Sequence, residues 1–177
     1  GTFHGLGAFM LREKGELGGI PRSASILNQD DAQRIIKEAM RKAGVDTKEF
    51  EPRRIQSIIS RHKGVMGTRE TIGDLTQNRH LATHLERIIP LYEQMLRERK
   101  MLDFDDLLGK TVELLERHPD AKRYYENEWR YIHVDEYQDT NEVQYRLVHL
   151  LSGPTKNICV VGDLDQNIYS WRGASIA

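Results

Sequence analysis

The stretch VDEYQDTN, residues 134 to 141, sets two carboxylates side by side, Asp135 and Glu136, directly after an apolar run containing Tyr131, Ile132 and Val134. One such acid can hold Mg²⁺, directly or through a bound water, while its neighbour orients or deprotonates an attacking water. The same residues also support a structural reading, in which Asp135, Glu136 and Asp139 are the acidic cap of the helix that follows. A second stretch, VVGDLDQNIYSWRGA, favours the chemical reading. It sets Gly162, Asp163 and Gln166 just past another apolar run, and a glutamine there can hydrogen-bond a terminal phosphate without adding charge. Tyr169, Trp171 and Arg172 come next. Beside a nucleotide crevice they would make a stacking platform, since bases stack on aromatic faces for about 1 to 3 kcal/mol each. Composition alone also allows Trp171 to be a core residue, and the adjacent Arg172 and Gly173 argue against deep burial.

Those side chains share a crevice only if the elements beneath them are parallel strands. The run from Tyr131 to Val134 reads as a strand, and NEVQYRLVHLLSG as a helix capped by Asn141 and stopped by Gly153. NICVVGD reads as a second, buried strand. Strand, helix and strand within about 30 residues make a right-handed crossover unit, so the two strands are expected to be parallel. Both strand ends then reach the carboxyl edge of the sheet, where open α/β folds bind ligands.

Upstream the pattern is helical. Phe3, Leu6, Phe9 and Met10 recur at helical spacing. EKGELGGIPRSAS is a loop by its glycines and proline. Asn28 caps a helix that Gly44 stops, and Pro52 opens another with Ile55, Ile58 and Ile59 on one face. Residues 79 to 100 carry Leu81, Leu85, Ile88, Ile89, Tyr92 and Leu96 on one stripe, with Pro90 as a candidate kink. DFDDLLGKTVELLERH is a helix with an acidic first turn, and Pro119 begins a short one.

Other constellations carry less. Gly109, Lys110 and Thr111 spell GKT, but Phe104 stands where a phosphate-binding loop needs glycine, no strand leads in, and Asp103, Asp105 and Asp106 would repel a polyphosphate. His80 and His84, four apart, could face one way on a helix. No third ligand accompanies them in the sequence, so solvated or capping histidines are expected. The 26 Lys and Arg against 27 Asp and Glu give a formal charge of -1, so contact with nucleic acid has to be local. The single Cys159, inside an apolar run, reads as a buried, inert thiol in a reducing, cytoplasmic setting. No apolar stretch approaches the roughly 20 residues that span a bilayer, and the expectation is a soluble protein with no membrane partner. Both ends read as cut through elements, which suggests a fragment.

VDEYQDTN and VVGDLDQNIYSWRGA resemble motifs II and III of the superfamily 1 DNA helicases of the UvrD, Rep and PcrA group. GTFHGLGAFMLR resembles their motif Ib and LDFDDLL their motif Id, all four in the family's order. The resemblance implies an α/β chain, a partial RecA-like P-loop NTPase parallel sheet with a large all-helical insertion. Residues 1–12 would open motor domain 1A, 13–101 form helical subdomain 1B, and 102–177 return to 1A. It further implies ATP and Mg²⁺ as cofactors, with Asp135 binding the metal, Glu136 activating water and Gln166 sensing the γ-phosphate. Phe3, His4, Tyr169, Trp171 and Arg172 would contact single-stranded DNA, in a motor acting at single-strand/duplex junctions with 3′ to 5′ polarity. Asn167 and Gly5 stand where the family more often has serine. The family's phosphate-binding loop and second motor domain fall outside these residues, so the segment alone is expected to be inactive. A helicase-nuclease subunit of the same superfamily and a non-catalytic DNA-binding module are the alternatives. The joint presence of Asp135, Glu136 and Gln166 speaks against the module.

Overall fold

The computed structural model describes residues 1–65, 71–154 and 157–163. In chain order the elements are α1 (Phe3–Lys14), a 3-10 turn (Gly15–Gly18), β1 (Ser25–Ile26), α2 (Gln29–Lys42), α3 (Pro52–Gly64), α4 (Arg79–Glu98) and β2 (Met101–Leu102). Then follow α5 (Asp106–Arg117), α6 (Pro119–Glu128), β3 (Ile132–Val134), a 3-10 turn (Tyr137–Asp139), α7 (Glu142–Leu151) and β4 (Ile158–Val160). The chain is thus α/β, with two small parallel sheets among the described residues, β1 with β2 and β3 with β4.

Side-chain caps start most of the helices where polar residues precede apolar periodicity. Asn28, Asn78 and Asn141 each accept a backbone N–H three residues on, at 2.8, 3.1 and 3.0 Å. Gly44 and Gly153 end their helices with φ of 72° and 60°, a conformation that costs other residues more. α4 runs through Pro90 without a break in its assignment.

The described residues form two compact units, one of residues 23–63 and 71–106, the other of 1–22, 64–65, 107–154 and 157–163. In the first, α2 packs on α4, and Ile36, Met40, Ile55, Leu81, Leu85 and Ile88 are fully buried. Its small sheet lies partly in the segment expected to be a loop. Two-residue strands are too short to show any alternation, and Ser25 pairs with Met101, 76 positions further along the sequence.

That unit also buries an ion cluster. Lys63 Nζ lies 2.6 Å from Asp103 Oδ2 and 2.8 Å from Asp106 Oδ1, and Tyr92 donates to Asp103 at 3.0 Å. Asp103 and Asp106 cap one another's backbone N–H groups reciprocally, at 2.9 and 3.1 Å. Burial alone would lower the Lys63 ammonium's pKa, but Asp106 and Asp103 outweigh it and raise it. The acids at the start of α5 are therefore matched by a lysine, rather than standing as an exposed negative patch.

The second unit's core gathers Met10, Leu108, Val112, Leu115, Tyr125, Val143, Leu147 and Leu151. Gly7 lets α1 approach α5 closely, since a Cβ there would collide with the Leu107 carbonyl. β3 and β4 pair in register, Ile132 with Ile158, His133 with Cys159 and Val134 with Val160. One expectation fails here. β4 is not buried: Ile158 is half-buried, Cys159 exposed, and Val160 47% exposed. Among the described residues β3 is its only partner strand, so its apolar composition has little to pack against.

Candidate functional site

The parallel pairing of β3 and β4 carries Asp135 and Glu136 to the carboxyl end of the small sheet. The pairing continues past the strands: Val161 N donates to Val134 O at 2.8 Å, and Tyr137 N to Val161 O at 2.9 Å. Between these bonds the chain turns sharply. Glu136 has φ 52° and ψ 43°, a left-handed conformation uncommon for a residue with a Cβ. Strain of this kind persists where the surroundings enforce it and gathers at functional sites. Here the enforcing contacts are the Asp139 N to Glu136 O bond at 2.9 Å and the donation from Glu136 N to Asp135 Oδ1 at 3.0 Å. Beyond the turn, Asn141 and Gln144 form a capping box that starts α7.

Both acids are exposed to solvent. Gln138, only 3% exposed, holds the Glu136 carboxylate in place. Its Nε2 donates to Glu136 Oε2 at 2.6 Å, and its Oε1 accepts from Asp163 N at 3.1 Å. One buried amide thereby ties the acid at the tip of β3 to the backbone leaving β4. Gly162 makes this possible: a Cβ there would lie 2.5 Å from Gln138 Oε1 and 3.2 Å from Gln138 N. Asp139 Oδ1 is buried without a hydrogen-bond partner, an acceptor open to a water or a bound group. Hard carboxylate oxygens at an exposed strand end suit Mg²⁺, which commonly takes one or two carboxylates and completes its shell with water and phosphate oxygens.

Of the remaining candidates, Gln166, Tyr169, Trp171 and Arg172 lie outside the described residues. Phe3 is half-buried and packs against the core of its unit. His4 sits beside it on α1, half-buried, and that burial lowers its pKa. The GKT tripeptide is part of α5. Thr111 is fully buried, donating to Leu107 O at 2.7 Å, and Lys110 pairs with Glu113 at 3.1 Å.

Two features escaped the sequence. Gln138 reads as one more polar residue in DEYQD, and the only trace of its role is the glycine at 162. His80 and His84 do have an acidic neighbour in space, Glu49, whose distance of 31 positions in sequence hides it.

The family profile described as UvrD/REP helicase N-terminal domain matches residues 1–177. ATP-dependent DNA helicase PcrA of Staphylococcus epidermidis is 42% identical over 175 residues, and that of Staphylococcus aureus 41%. Each alignment covers 99% of this chain but 24% of the relative, so the chain spans about a quarter of the length of these curated relatives.

Proposed function

The chain belongs to the UvrD/REP helicase N-terminal domain family, and from that premise we propose that it supplies part of the motor of an ATP-dependent, 3′ to 5′ DNA helicase. The observation that carries this reading is the exposed Asp135 and Glu136 pair at the carboxyl end of β3, with Glu136 held by Gln138 beside the chain leaving β4. On this reading the unit containing β3 and β4 is RecA-like, the sheet edge is its nucleotide face, and the helical insertion expected at 13–101 corresponds to the compact unit of 23–63 and 71–106, whose last residues, 102–106, run past that boundary. Residues 1–12 and 102–177 make up the motor portion.

Asp135 holds Mg²⁺, whose chemistry is to neutralise charge developing on the phosphates. Glu136 accepts a proton from the attacking water, and Gln138 restrains one of its oxygens so that the other is free for that task. Gln166 senses the terminal phosphate. Tyr169 and Trp171 stack on bases of single-stranded DNA, Arg172 and His4 hold its backbone, and Phe3 lines the same track. The substrate is a single-strand/duplex junction. The 177 residues contain no complete phosphate-binding loop, so by themselves they turn over little ATP.

Glu136→Gln in the full-length protein tests the reading. It keeps the acceptor and the size of the side chain but removes the base. DNA-stimulated ATP turnover should fall by roughly 100-fold or more, with nucleotide affinity retained. Turnover within about twofold of the parent would remove Glu136 from the chemistry.

A further inference from the structure

We propose that Glu49, His80 and His84 form a binding site for a divalent first-row transition metal ion, Zn²⁺ foremost, on the helical unit. His80 and His84 stand one turn apart on α4, and their Nε2 atoms approach to 3.2 Å. Glu49 Oε1 lies 2.9 Å from His80 Nε2. One ligand atom from each of the three residues falls within 4.8 Å of the other two. All three belong to one compact unit, so the cluster depends on no arrangement between units.

Hydrogen bonding alone satisfies this cluster poorly. A neutral imidazole Nε2 carries either a proton or a lone pair. If His80 Nε2 donates to Glu49, that single proton must also serve the His84 contact. If it accepts from His84 instead, its lone pair faces a carboxylate. A cation among the three atoms removes the conflict, because every one of them then presents a lone pair to positive charge. The spacing suits such an ion: bonds of about 2.0 to 2.1 Å at tetrahedral angles put ligand atoms about 3.3 Å apart. The observed 2.9 and 3.2 Å need only a small opening.

The rings are also held in place. Phe50, a buried residue next to Glu49, sets its ring centroid 5.9 Å from that of His80 and 5.7 Å from that of His84. Two imidazoles and a carboxylate select zinc, copper, nickel or cobalt over magnesium and calcium, which prefer oxygen alone. Three protein ligands leave a position for water. His84 Nδ1 is buried without a partner, and losing such outer support typically weakens a site 10–100-fold, so the site is expected to bind more weakly than one whose histidines are both supported. The bound ion joins the segment before α3 to the first turns of α4.

The test is a calorimetric titration of the chain with ZnCl2 in excess Mg²⁺, with Co²⁺ absorption as a second probe. One Zn²⁺ per chain is expected, with a raised unfolding temperature and visible bands of a low-coordinate Co²⁺ site. The double variant His80→Ala/His84→Ala should lose roughly 100-fold or more in affinity, and Glu49→Gln roughly 10-fold. No binding at an excess of Zn²⁺ over protein, or unchanged binding in the double variant, overturns the proposal. If the double variant fails to fold by circular dichroism, His80→Gln, at an exposed position, decides by the same titration: retained affinity overturns the site, and lost affinity supports it.

Discussion

Gln138→Ala probes the contact that joins the two strand ends. The substitution removes a donor to the Glu136 carboxylate and the acceptor for Asp163 N. A hydrogen bond to a charged group contributes about 1.5 to 3 kcal/mol and a neutral one about 0.5 to 1.5. Glu136 is exposed and can turn to water, which holds the first contribution to the low end, so a loss of about 2 to 3 kcal/mol is expected. Gly162→Ala attacks the same contact from the other side. Its Cβ meets Gln138 Oε1 at 2.5 Å and the Tyr137 and Gln138 backbone nitrogens at 3.3 and 3.2 Å, an overpacking cost of about 1 to 3 kcal/mol. In the double variant the collision with Oε1 disappears, so the combined loss should fall short of the sum by about 1 kcal/mol. Urea unfolding measures each corner of the cycle. Trp129, stacked on Tyr125 at 4.9 Å between ring centroids, supplies the signal in a Trp171→Phe background. Strict additivity, or a Gln138→Ala loss below about 0.5 kcal/mol, would refute the bridge.

Two further predictions concern the ion cluster of the helical unit. Lys63→Met leaves Asp103 and Asp106 buried without their cation and should cost about 3 to 5 kcal/mol in urea unfolding. A loss under about 1 kcal/mol would mean that water reaches the acids freely. Asp105 is pushed up to about 6, first by burial and then by Asp103, against an ordinary 3.8. Its native form binds a proton more tightly than its unfolded form, so its contribution to stability grows as pH falls from about 6 towards 3.8 and is unfavourable above that window. Asp105→Asn, which keeps an oxygen to accept from Ser60 Oγ, should stabilise the protein near neutral pH by up to about 3 kcal/mol. That advantage should vanish by about pH 4, and unfolding across the pH range checks both its sign and its window.

What the sequence made legible, and what it hid, divides by the range of the interaction. Asn28, Asn141, Gly44 and Gly153 act within four residues of themselves, so their types announce helix ends that the structure then shows. The pairing of β3 with β4 was legible for a related reason: the length of chain between two apolar runs leaves few ways to join them except a parallel crossover. Contacts between distant segments leave no such trace. Lys63 meets Asp103 across 40 positions and Glu49 meets His80 across 31, and a charge has no periodicity by which a partner can be sought. The apolar run around Cys159 misled because hydrophobicity records the surface a strand could bury, not whether a neighbour among the described residues covers it. Gly162 is the instructive intermediate. Its φ is not what demands glycine; the demand comes from the Gln138 amide lying where a Cβ would stand. A glycine just past a strand, opposite an acidic turn, is therefore a sequence signal that another segment passes close by. At this site the close neighbour is the turn that holds both acids, which makes the glycine as much a part of the candidate site as the carboxylates are.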